Sequence, residues 1–520
     1  MAIDVTPKHI VAVPYQAWGH ARPLINLAAR LVKLRNIAVT LLTTSQLYSR
    51  AISEIARSFV PGEEEFANRI RVVSLGDSHA FSPDGIGAIF KPAWKKISAG
   101  EAVLCAETGV LFDALPVPEA SIVDLFAIEP VRVIKKLSGK SLKIYSWVPG
   151  ATSALFHLFG PENLGGRGDI VAKVEAEVKR TGRRFEDVAA ELIFTPKGEV
   201  VKVPALPPMF DYEYYPQDFP IPRVMDLGLA IYPYVFETME SCDGAFLITA
   251  EPYEPEAVAA VKSWFGKTGR PAYVCGPLLP PSSTTSTANE KQQSTVAVEI
   301  QEFLDSTLKN SGEKALLYIS LGTLFWPVKT PEQMWVILDV VMERNTPFIL
   351  SHASPMAIIP EEVREKVKAY GRGLLSPWSP QQTILEHPVT GWYLTHGGHN
   401  GVTEAVCAGV PLSVRSILWP FGGDQPLNAV HISEQLKVGY ELIEVRTGVA
   451  GRHTIYGKGR APVGSIEAIK AEVRDVLTKA YGPDGAEKRQ RLVALTRAVT
   501  HEWEEGGSAL RDVRAFLDTL

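Results

Sequence analysis

The chain has 520 residues, with 53 Lys and Arg against 58 Asp and Glu and a net charge of −5. Hydrophobic residues at 46% and charged residues at 21% are ordinary globular values, which exclude a disordered, collagenous or coiled-coil chain. The length predicts two or three domains, and the mildly acidic balance argues against a nucleic-acid partner, whose phosphates require a basic surface.

The first half of the chain alternates short apolar runs with amphipathic segments. Apolar runs predict strands at residues 9–14, 38–43, 120–123 and 143–147. Helical patterns occupy residues 23–33 and 128–137 between them. Strand, helix and strand at this spacing indicate β-α-β units of a parallel sheet.

A polar segment at residues 280–295, rich in Ser, Thr, Pro and Gln, interrupts this alternation and predicts a linker. Strands are predicted to resume afterwards, at residues 315–320, 347–351, 373–375, 392–395 and 411–414. We therefore expect an α/β protein with two doubly wound, Rossmann-like domains that face a cleft. The expected boundaries are 1–279 for an acceptor-binding domain, 280–298 for the linker, 299–485 for a donor-binding domain and 486–520 for a C-terminal helix packing back toward the first domain.

A histidine and an aspartate follow two predicted strands in the first half of the chain. His20 comes after the first strand and Asp124 ends a later one, at the sheet edge where α/β proteins bind ligands. Imidazole suits a general base near neutral pH, and a carboxylate on its other nitrogen would orient the ring. The alternative is that Asp124 caps a helix beginning at Leu125 and that His20 is a surface residue.

The segment 378–425 holds the densest set of candidate ligand-binding residues. A predicted strand ends at His396, and a helix is expected to begin near Val402. The connecting loop is Gly397, Gly398, His399, Asn400 and Gly401. A helix N-terminus offers unpaired N–H groups and a positive dipole end, which suit a diphosphate. A plain Gly-rich connection with His396 in the core is the alternative.

Four side chains around this loop have two interpretations each. Glu404 could bind a sugar diol or complement the helix dipole, and Trp378 could stack on a flat base or belong to the core. Asp424 and Gln425 could contact sugar hydroxyls or lie on the surface. No one of these residues decides between a binding site and ordinary packing.

The combination W-x-P-Q, T-H-x-G-x-N-x-x-x-E, G-V-P and D-Q closely resembles the signature of family 1 UDP-dependent glycosyltransferases, known in plants as the secondary-product glycosyltransferase box. The runs VCGPLLPP and YISLGT on either side of the linker extend the resemblance. It implies the GT-B fold, a UDP-sugar donor, and no cofactor or metal. The absence of any Asp-x-Asp agrees with metal independence.

The resemblance also implies roles for individual residues. Trp378 would stack on uracil, Gln381 would contact the nucleoside, and Glu404 would bind the ribose hydroxyls. His396, Asn400 and Thr323 would hold the diphosphate, and Asp424 with Gln425 would read the donor sugar. The full set of implied donor-binding positions is Gly19, Thr323, Trp378, Ser379, Gln381, His396, Gly398, His399, Asn400, Gly401, Glu404, Asp424 and Gln425.

Three positions depart from the plant pattern. His399 stands where Trp is usual, Gly401 where Ser is usual, and Val148 where a Thr is usual. Because Gly19-His20 and the V-D-L-F run at 123–126 resemble the family's catalytic pair, His20 and Asp124 are the expected base and its partner.

The expected function is transfer of a hexose or pentose to a hydroxyl of a small hydrophobic acceptor such as a terpenoid or phenolic, with inversion to a β-glycoside. Glucose is the first expectation and xylose the second. The aromatic segment 210–219 could line the acceptor mouth or form an ordinary interdomain loop. A non-catalytic nucleotide-sugar-binding protein stays open as an alternative. So does an NAD-dependent oxidoreductase, although no G-x-G-x-x-G follows the first strand.

Features that would direct the chain to a membrane or an oxidising compartment are missing from the sequence. The first twenty residues lack a cationic stretch followed by a long apolar run, and no run of about 20 apolar residues could span a bilayer. The four cysteines, Cys105, Cys242, Cys275 and Cys407, include no C-x-x-C pair. We expect a cytoplasmic, monomeric enzyme without a membrane span.

Overall fold

Two parallel β-sheets organise the computed structural model, which describes residues 6–77, 83–218, 222–280, 290, 296–408 and 414–520. The strands in these ranges are β1 Lys8–Val13, β2 Ile37–Thr43, β3 Ile70–Ser74, β4 Val103–Leu104, β5 Leu111–Phe112, β6 Ala120–Asp124, β7 Lys143–Val148, β8 Val200–Val201, β9 Met209–Phe210, β10 Gly244–Leu247, β11 Ala272–Val274, β12 Leu316–Ser320, β13 Phe348–Ser351, β14 Gly373–Ser376, β15 Thr390–Thr395, β16 Arg415–Leu418 and β17 Tyr440–Glu441.

Helices connect successive strands of both sheets. The α-helices are Trp18–Leu34, Ser45–Arg57, Glu64–Ala67, Pro83–Ser98, Ile128–Ser138, Thr152–Phe159, Ile170–Thr181, Phe185–Phe194, Pro222–Ser241, Pro255–Gly266, Ala297–Ser311, Glu332–Glu343, Glu361–Tyr370, Gln381–Glu386, His399–Cys407, Gln425–Val430, Gly448–Gly451, Ile466–Ala480, Pro483–Thr500 and Ser508–Leu517. In the described ranges no helix is both long and apolar enough to cross a bilayer.

The chain divides into two compact units. Unit 1 comprises Met1–Thr195, Ile221–Asn289 and His501–Leu520, and unit 2 comprises Pro196–Pro220 and Glu290–Thr500. Each unit contains one of the two large sheets, so the expected α/β class with two Rossmann-like domains is confirmed.

The sheet of unit 1 has the strand order β11-β10-β7-β6-β1-β2-β3. From β1 the chain adds β2 and β3 on one side and then returns to place β6 on the other side. Ligands of doubly wound sheets bind where the strand order reverses in this way, outside the carboxyl ends of the strands. The register pairs Val13 with Val123, so the residues that follow β1 and β6 emerge side by side.

The sheet of unit 2 repeats this arrangement in the order β14-β13-β12-β15-β16-β17. The reversal lies between β12 and β15, where Ser320 pairs with Thr395. The central strands are buried on both faces, as parallel strands covered by helices must be. The loops beginning at Leu321 and His396 therefore start at the same edge of the sheet.

Two segments do not follow the order expected along the sequence. Residues 196–218 belong to unit 2, where the Tyr212 hydroxyl donates to the Thr454 carbonyl at 2.6 Å and the Asp218 N–H donates to Thr447 Oγ1 at 2.9 Å. The expected helix over 486–520 is two helices, because a turn with Gly506 at φ +93° separates them. The first belongs to unit 2, and the second, Ser508–Leu517, packs into the core of unit 1.

The strand predicted at 411–414 begins later than expected, and only part of the predicted linker lies within the described ranges. The strand predicted at 411–414 is instead β16, which begins at Arg415, and residues 411–413 lie outside the described ranges. Most of the predicted linker also lies outside them. Its described residues include Glu290, which is buried and accepts the Gln382 N–H of the helix Gln381–Glu386 at 3.1 Å.

Candidate active site

His20 and Asp124 form a hydrogen-bonded pair at the strand-order reversal of unit 1. His20 Nδ1 lies 2.9 Å from Asp124 Oδ2, and the aspartate is fully buried while one fifth of the histidine side chain is exposed. The second carboxylate oxygen accepts the Phe126 N–H at 3.0 Å, and the next helix begins only at Ile128. Because Asp124 is held in place and His20 reaches solvent, the imidazole can exchange a proton through Nε2.

Aromatic rings surround this pair. Ring centroids lie 5.4 Å from His20 for Tyr15 and 5.2 Å for Phe126, and Phe126 also approaches Phe159 and Tyr232 at 5.8 Å each. Burial, with Asp124 and Tyr232 adding to it, raises the pKa of the Tyr15 phenol. No local sequence pattern indicates that these rings meet, because they come from separate parts of the chain.

The glycines around His396 allow the imidazole to lie against two loops of unit 2. A Cβ on Gly322, whose φ is +77°, would lie 2.8 Å from His396 Cε1, and a Cβ on Gly398 would lie 2.7 Å from His396 Nε2. Both positions therefore require a glycine for this packing. Burial lowers the pKa of His396 to about 4, so the ring is neutral at pH 7.

The helix after His396 begins at His399, three residues earlier than expected. Gly398 is its N-cap, so the first-turn N–H groups include those of His399, Asn400 and Gly401. Asn400 is half-buried, whereas Thr323 of the facing loop is exposed. The expected diphosphate donors thus lie on loops that start from neighbouring strands of one sheet.

Gln381 and Glu404 form one connected polar group, and Trp378, three residues before Gln381, is half-buried. Gln381 Nε2 donates to Glu404 Oε2 at 2.5 Å, and the Tyr393 hydroxyl donates to Gln381 Oε1 at 3.0 Å. Glu404 is almost fully buried. The Ser379 hydroxyl is also buried and has no hydrogen-bond partner among the residues that the structure describes. The sequence indicated Gln381 and Glu404 separately but offered no sign that they bind each other.

Asp424 is the N-cap of the helix Gln425–Val430, and its carboxylate accepts two hydrogen bonds. Its Oδ2 accepts the His399 N–H at 3.2 Å and Asn428 Nδ2 at 2.9 Å, and Asn428 also donates to the Gly397 carbonyl at 2.8 Å. Burial raises the pKa of Asp424, against the lowering effect of His399. Asn428, which no sequence motif indicated, thereby links the residue expected to read the sugar to the loop expected to hold the diphosphate.

Gln425, which is expected to contact the donor sugar, has the oxygen of its side-chain amide bound to the preceding loop. Its side chain is buried, and Oε1 accepts the N–H groups of Phe421 at 2.8 Å and Gly422 at 3.3 Å. This oxygen shapes the loop in front of Asp424, so a contact with a sugar would fall to the Nε2 group.

The remaining predicted positions divide between the units. Gly19 lies in unit 1 beside His20, whereas all the other donor positions lie in unit 2. Of the aromatic segment 210–219, Phe210 and Tyr212 stack on each other, and their centroids lie 5.3 Å from Tyr456 and 4.9 Å from His453, respectively, within unit 2. Residue 219 lies outside the described ranges. Within those ranges, no three His, Cys, Asp or Glu side chains cluster as metal ligands would.

Comparison with known proteins agrees with this geometry. The family model for UDP-glucuronosyl and UDP-glucosyl transferases matches residues 223–445. UDP-glycosyltransferase eriJ of Hericium erinaceus is 28% identical, and the alignment covers 98% of each chain. Nuatigenin 3-beta-glucosyltransferase of Solanum aculeatissimum is 22% identical over 98% of this chain and 96% of the relative.

A solved structure shares the fold over its whole length. Phytolacca americana UGT2, complexed with UDP-2-fluoro-glucose and pterostilbene, has a TM-score of 0.65 and 19% identity, covering 98% of this chain and 99% of that one. The family match and the full-length relatives do not support the alternative of a nicotinamide-dependent oxidoreductase. These comparisons confirm the resemblance to family 1 UDP-dependent glycosyltransferases: the chain has the GT-B fold and is an inverting glycosyltransferase whose donor is a UDP-sugar.

Proposed function

We propose that the enzyme transfers glucose from UDP-glucose to a hydroxyl of a small hydrophobic acceptor, such as a terpenoid or phenolic, and forms a β-glycoside. The observation that carries the proposal is the 2.9 Å contact between His20 Nδ1 and the fully buried Asp124. This contact leaves Nε2 to take the acceptor's proton. UDP-xylose is the alternative donor.

The reaction is a single displacement. The acceptor hydroxyl gives its proton to His20 Nε2 while its oxygen forms a bond to the anomeric carbon, and the bond from that carbon to the UDP oxygen breaks on the opposite face. Asp124 orients the neutral imidazole and stabilises the imidazolium that forms. The proton leaves the protein through the exposed part of His20.

The leaving diphosphate is proposed to be bound by unit 2. The N–H groups at the start of the helix His399–Cys407 face the charge that develops on UDP, and Thr323 and Asn400 add side-chain donors. His396, neutral because of its burial, contributes a hydrogen bond rather than a charge. Trp378, Gln381 and Glu404 hold the nucleoside, with Ser379 beside them, while Asp424, Gln425 and His399 contact the sugar.

Two observations support the choice of substrates. The Solanum relative is named as a glucosyltransferase for nuatigenin, and the Phytolacca structure holds a glucose donor analogue with pterostilbene. In this chain, the rings of Tyr15, Phe126 and Tyr232 near His20 favour a flat, apolar acceptor. Monomeric state and cytoplasmic location stay predictions.

The base assignment is tested with H20A and a matched control. His501 also pairs with a carboxylate, Glu504 at 2.5 Å, but both side chains are exposed. We expect H20A to lower the transfer rate by about 10²- to 10⁴-fold with UDP affinity unchanged, and H501A to transfer normally. Transfer by H20A at the full rate would show that His20 is not the base.

The donor is tested by mass spectrometry. UDP-glucose, UDP-xylose and UDP-galactose are each offered with mixed hydrophobic acceptors. Products carrying a hexose from UDP-glucose support the proposal. Transfer from UDP-xylose alone contradicts it.

A further inference from the structure

A buried pair of tyrosines lies behind the proposed nucleoside site. Tyr318 of β12 and Tyr393 of β15 are direct neighbours in the parallel register, and their rings stack with centroids 5.1 Å apart and planes at 14°. Each is only 1% exposed. Two stacked phenols in the centre of a sheet must direct their hydroxyls to polar partners, because an unpaired buried hydroxyl is costly.

Both hydroxyls converge on one amide oxygen. Gln381 Oε1 lies 3.0 Å from the Tyr393 hydroxyl and 3.5 Å from that of Tyr318. Burial raises the pKa of both phenols, so both carry their protons at neutral pH. The shorter distance makes Tyr393 the stronger of the two donors.

The direction of these hydrogen bonds determines which end of the Gln381 amide faces Glu404. The carboxylate of Glu404 only accepts, so the contact of 2.5 Å must be donated by Gln381 Nε2. The opposite end of the amide is then an oxygen, and it needs a donor, which Tyr393 supplies. A chain of donors therefore runs from Tyr393 through Gln381 to Glu404 Oε2.

We propose that Tyr393 is a positioning residue that, through Gln381, holds the Glu404 carboxylate in the orientation that recognises the ribose diol of the donor. This inference rests on the proposed donor-binding roles of Gln381 and Glu404. Because Tyr393 is only 1% exposed, it acts through Gln381 and not by contact with the nucleotide. The carboxylate of Glu404 opposes the reversed amide, which would place oxygen against oxygen, and the Tyr393 hydroxyl fixes the other end of the amide by donating to Oε1.

The test measures the binding of UDP and of 2′-deoxy-UDP by calorimetry. We expect Y393F to weaken the binding of UDP by about 3- to 10-fold, as the loss of one buried hydrogen bond predicts. We also expect the preference for UDP over 2′-deoxy-UDP to shrink, because a loosely held Glu404 distinguishes the ribose less well. Y318F removes the other hydroxyl of the stacked pair, which lies 3.5 Å from Gln381 Oε1. It should have a smaller effect than Y393F on UDP affinity and on the preference for UDP over 2′-deoxy-UDP.

A double variant identifies the route of the effect. If Tyr393 acts through Gln381, adding Y393F to Q381M should change UDP affinity little further. An unchanged preference in Y393F would overturn the inference, whether UDP affinity stays constant or falls in parallel for both nucleotides, because a purely structural role predicts equal losses. So would full additivity with Q381M.

E404Q separates failure of this inference from failure of the proposed function. If E404Q removes the preference for UDP over 2′-deoxy-UDP and Y393F does not, only the positioning role of Tyr393 is wrong. If E404Q also keeps the preference, the ribose-binding role of Glu404 is wrong and the inference falls with it.

Discussion

Replacing Asp124 with Asn tests how the carboxylate controls the imidazole. In the unmodified enzyme the Phe126 N–H donates to the Asp124 carboxylate at 3.0 Å, so in D124N the side-chain oxygen is needed to accept this N–H. The NH2 group must then face His20 Nδ1 and donate to it. This forces the imidazole proton onto Nε2, the atom that has to receive the acceptor's proton.

The expected loss of activity in D124N follows from the two hydrogen bonds of the Asp124 carboxylate, with His20 Nδ1 and with the Phe126 N–H. Turning the Asn over to restore the productive tautomer would oppose its NH2 to the Phe126 N–H in a fully buried place, at a cost of about 1–3 kcal/mol. The variant also loses the charge-assisted bond to the imidazolium, worth about 1.5–3 kcal/mol. Together these effects predict a fall of about 10²- to 10⁴-fold in kcat/KM.

The assay is steady-state transfer from UDP-glucose to a phenolic acceptor, with UDP affinity and Tm measured in parallel. Since Asp124 lies in unit 1 and the proposed donor side chains except Gly19 lie in unit 2, UDP affinity should stay within about twofold of the unmodified enzyme. D518N, an Asp-to-Asn change at an exposed position, is the control. A loss of less than tenfold in a folded D124N enzyme would refute the tautomer argument.

Three more outcomes are expected. G322A should weaken UDP binding tenfold or more and lower Tm, because its Cβ would collide with the His396 ring at a positive φ; unchanged affinity would contradict the packing. E290A should raise the KM for UDP-glucose several-fold relative to the exposed control E302A, because Glu290 accepts two N–H groups of the short helix Gln381–Glu386, which carries the proposed nucleoside contact Gln381. Equal KM values for E290A and E302A would refute this. The free energy of unfolding should decrease as pH falls from 6.5 to 4, and His9 should contribute up to about 3 kcal/mol of this decrease because burial lowers its folded pKa to about 4. Denaturant titrations of a His9→Gln variant should therefore show a decrease that is smaller by this amount.

The parallel sheets and the residues at their edges could be predicted from the sequence because both depend on local patterns. Apolar runs alternating with helical segments predicted β1, β2, β6 and β7 to within two residues at either end. The reversal of strand order then brought His20 beside Asp124, 104 residues apart, as the shared position after two strands had indicated. The resemblance to the family's signature likewise indicated Gln381 and Glu404.

Other features could not be predicted from local patterns, since they depend on which surfaces meet. Residues 196–218 pack with unit 2 although unit 1 precedes and follows them, because Tyr212 and Asp218 find their hydrogen-bond partners there. Glu290 stands in a segment whose composition predicted a linker, yet its carboxylate is buried against Gln382 and Thr383. Composition describes the average of a segment and does not show a single buried contact.

Length, charge and composition left two or three domains and no nucleic-acid partner, and the motif in 378–425 identified the family and the donor class. Those conclusions were available from the sequence alone because periodicity and motif spacing are properties of neighbouring residues. Only the tertiary structure showed that Tyr393 donates to Gln381, that Asn428 joins Asp424 to the Gly397 carbonyl, and that burial lowers the pKa of His396. Hydrogen-bond direction and burial depend on atoms brought together from distant parts of the chain, so no local pattern contains them.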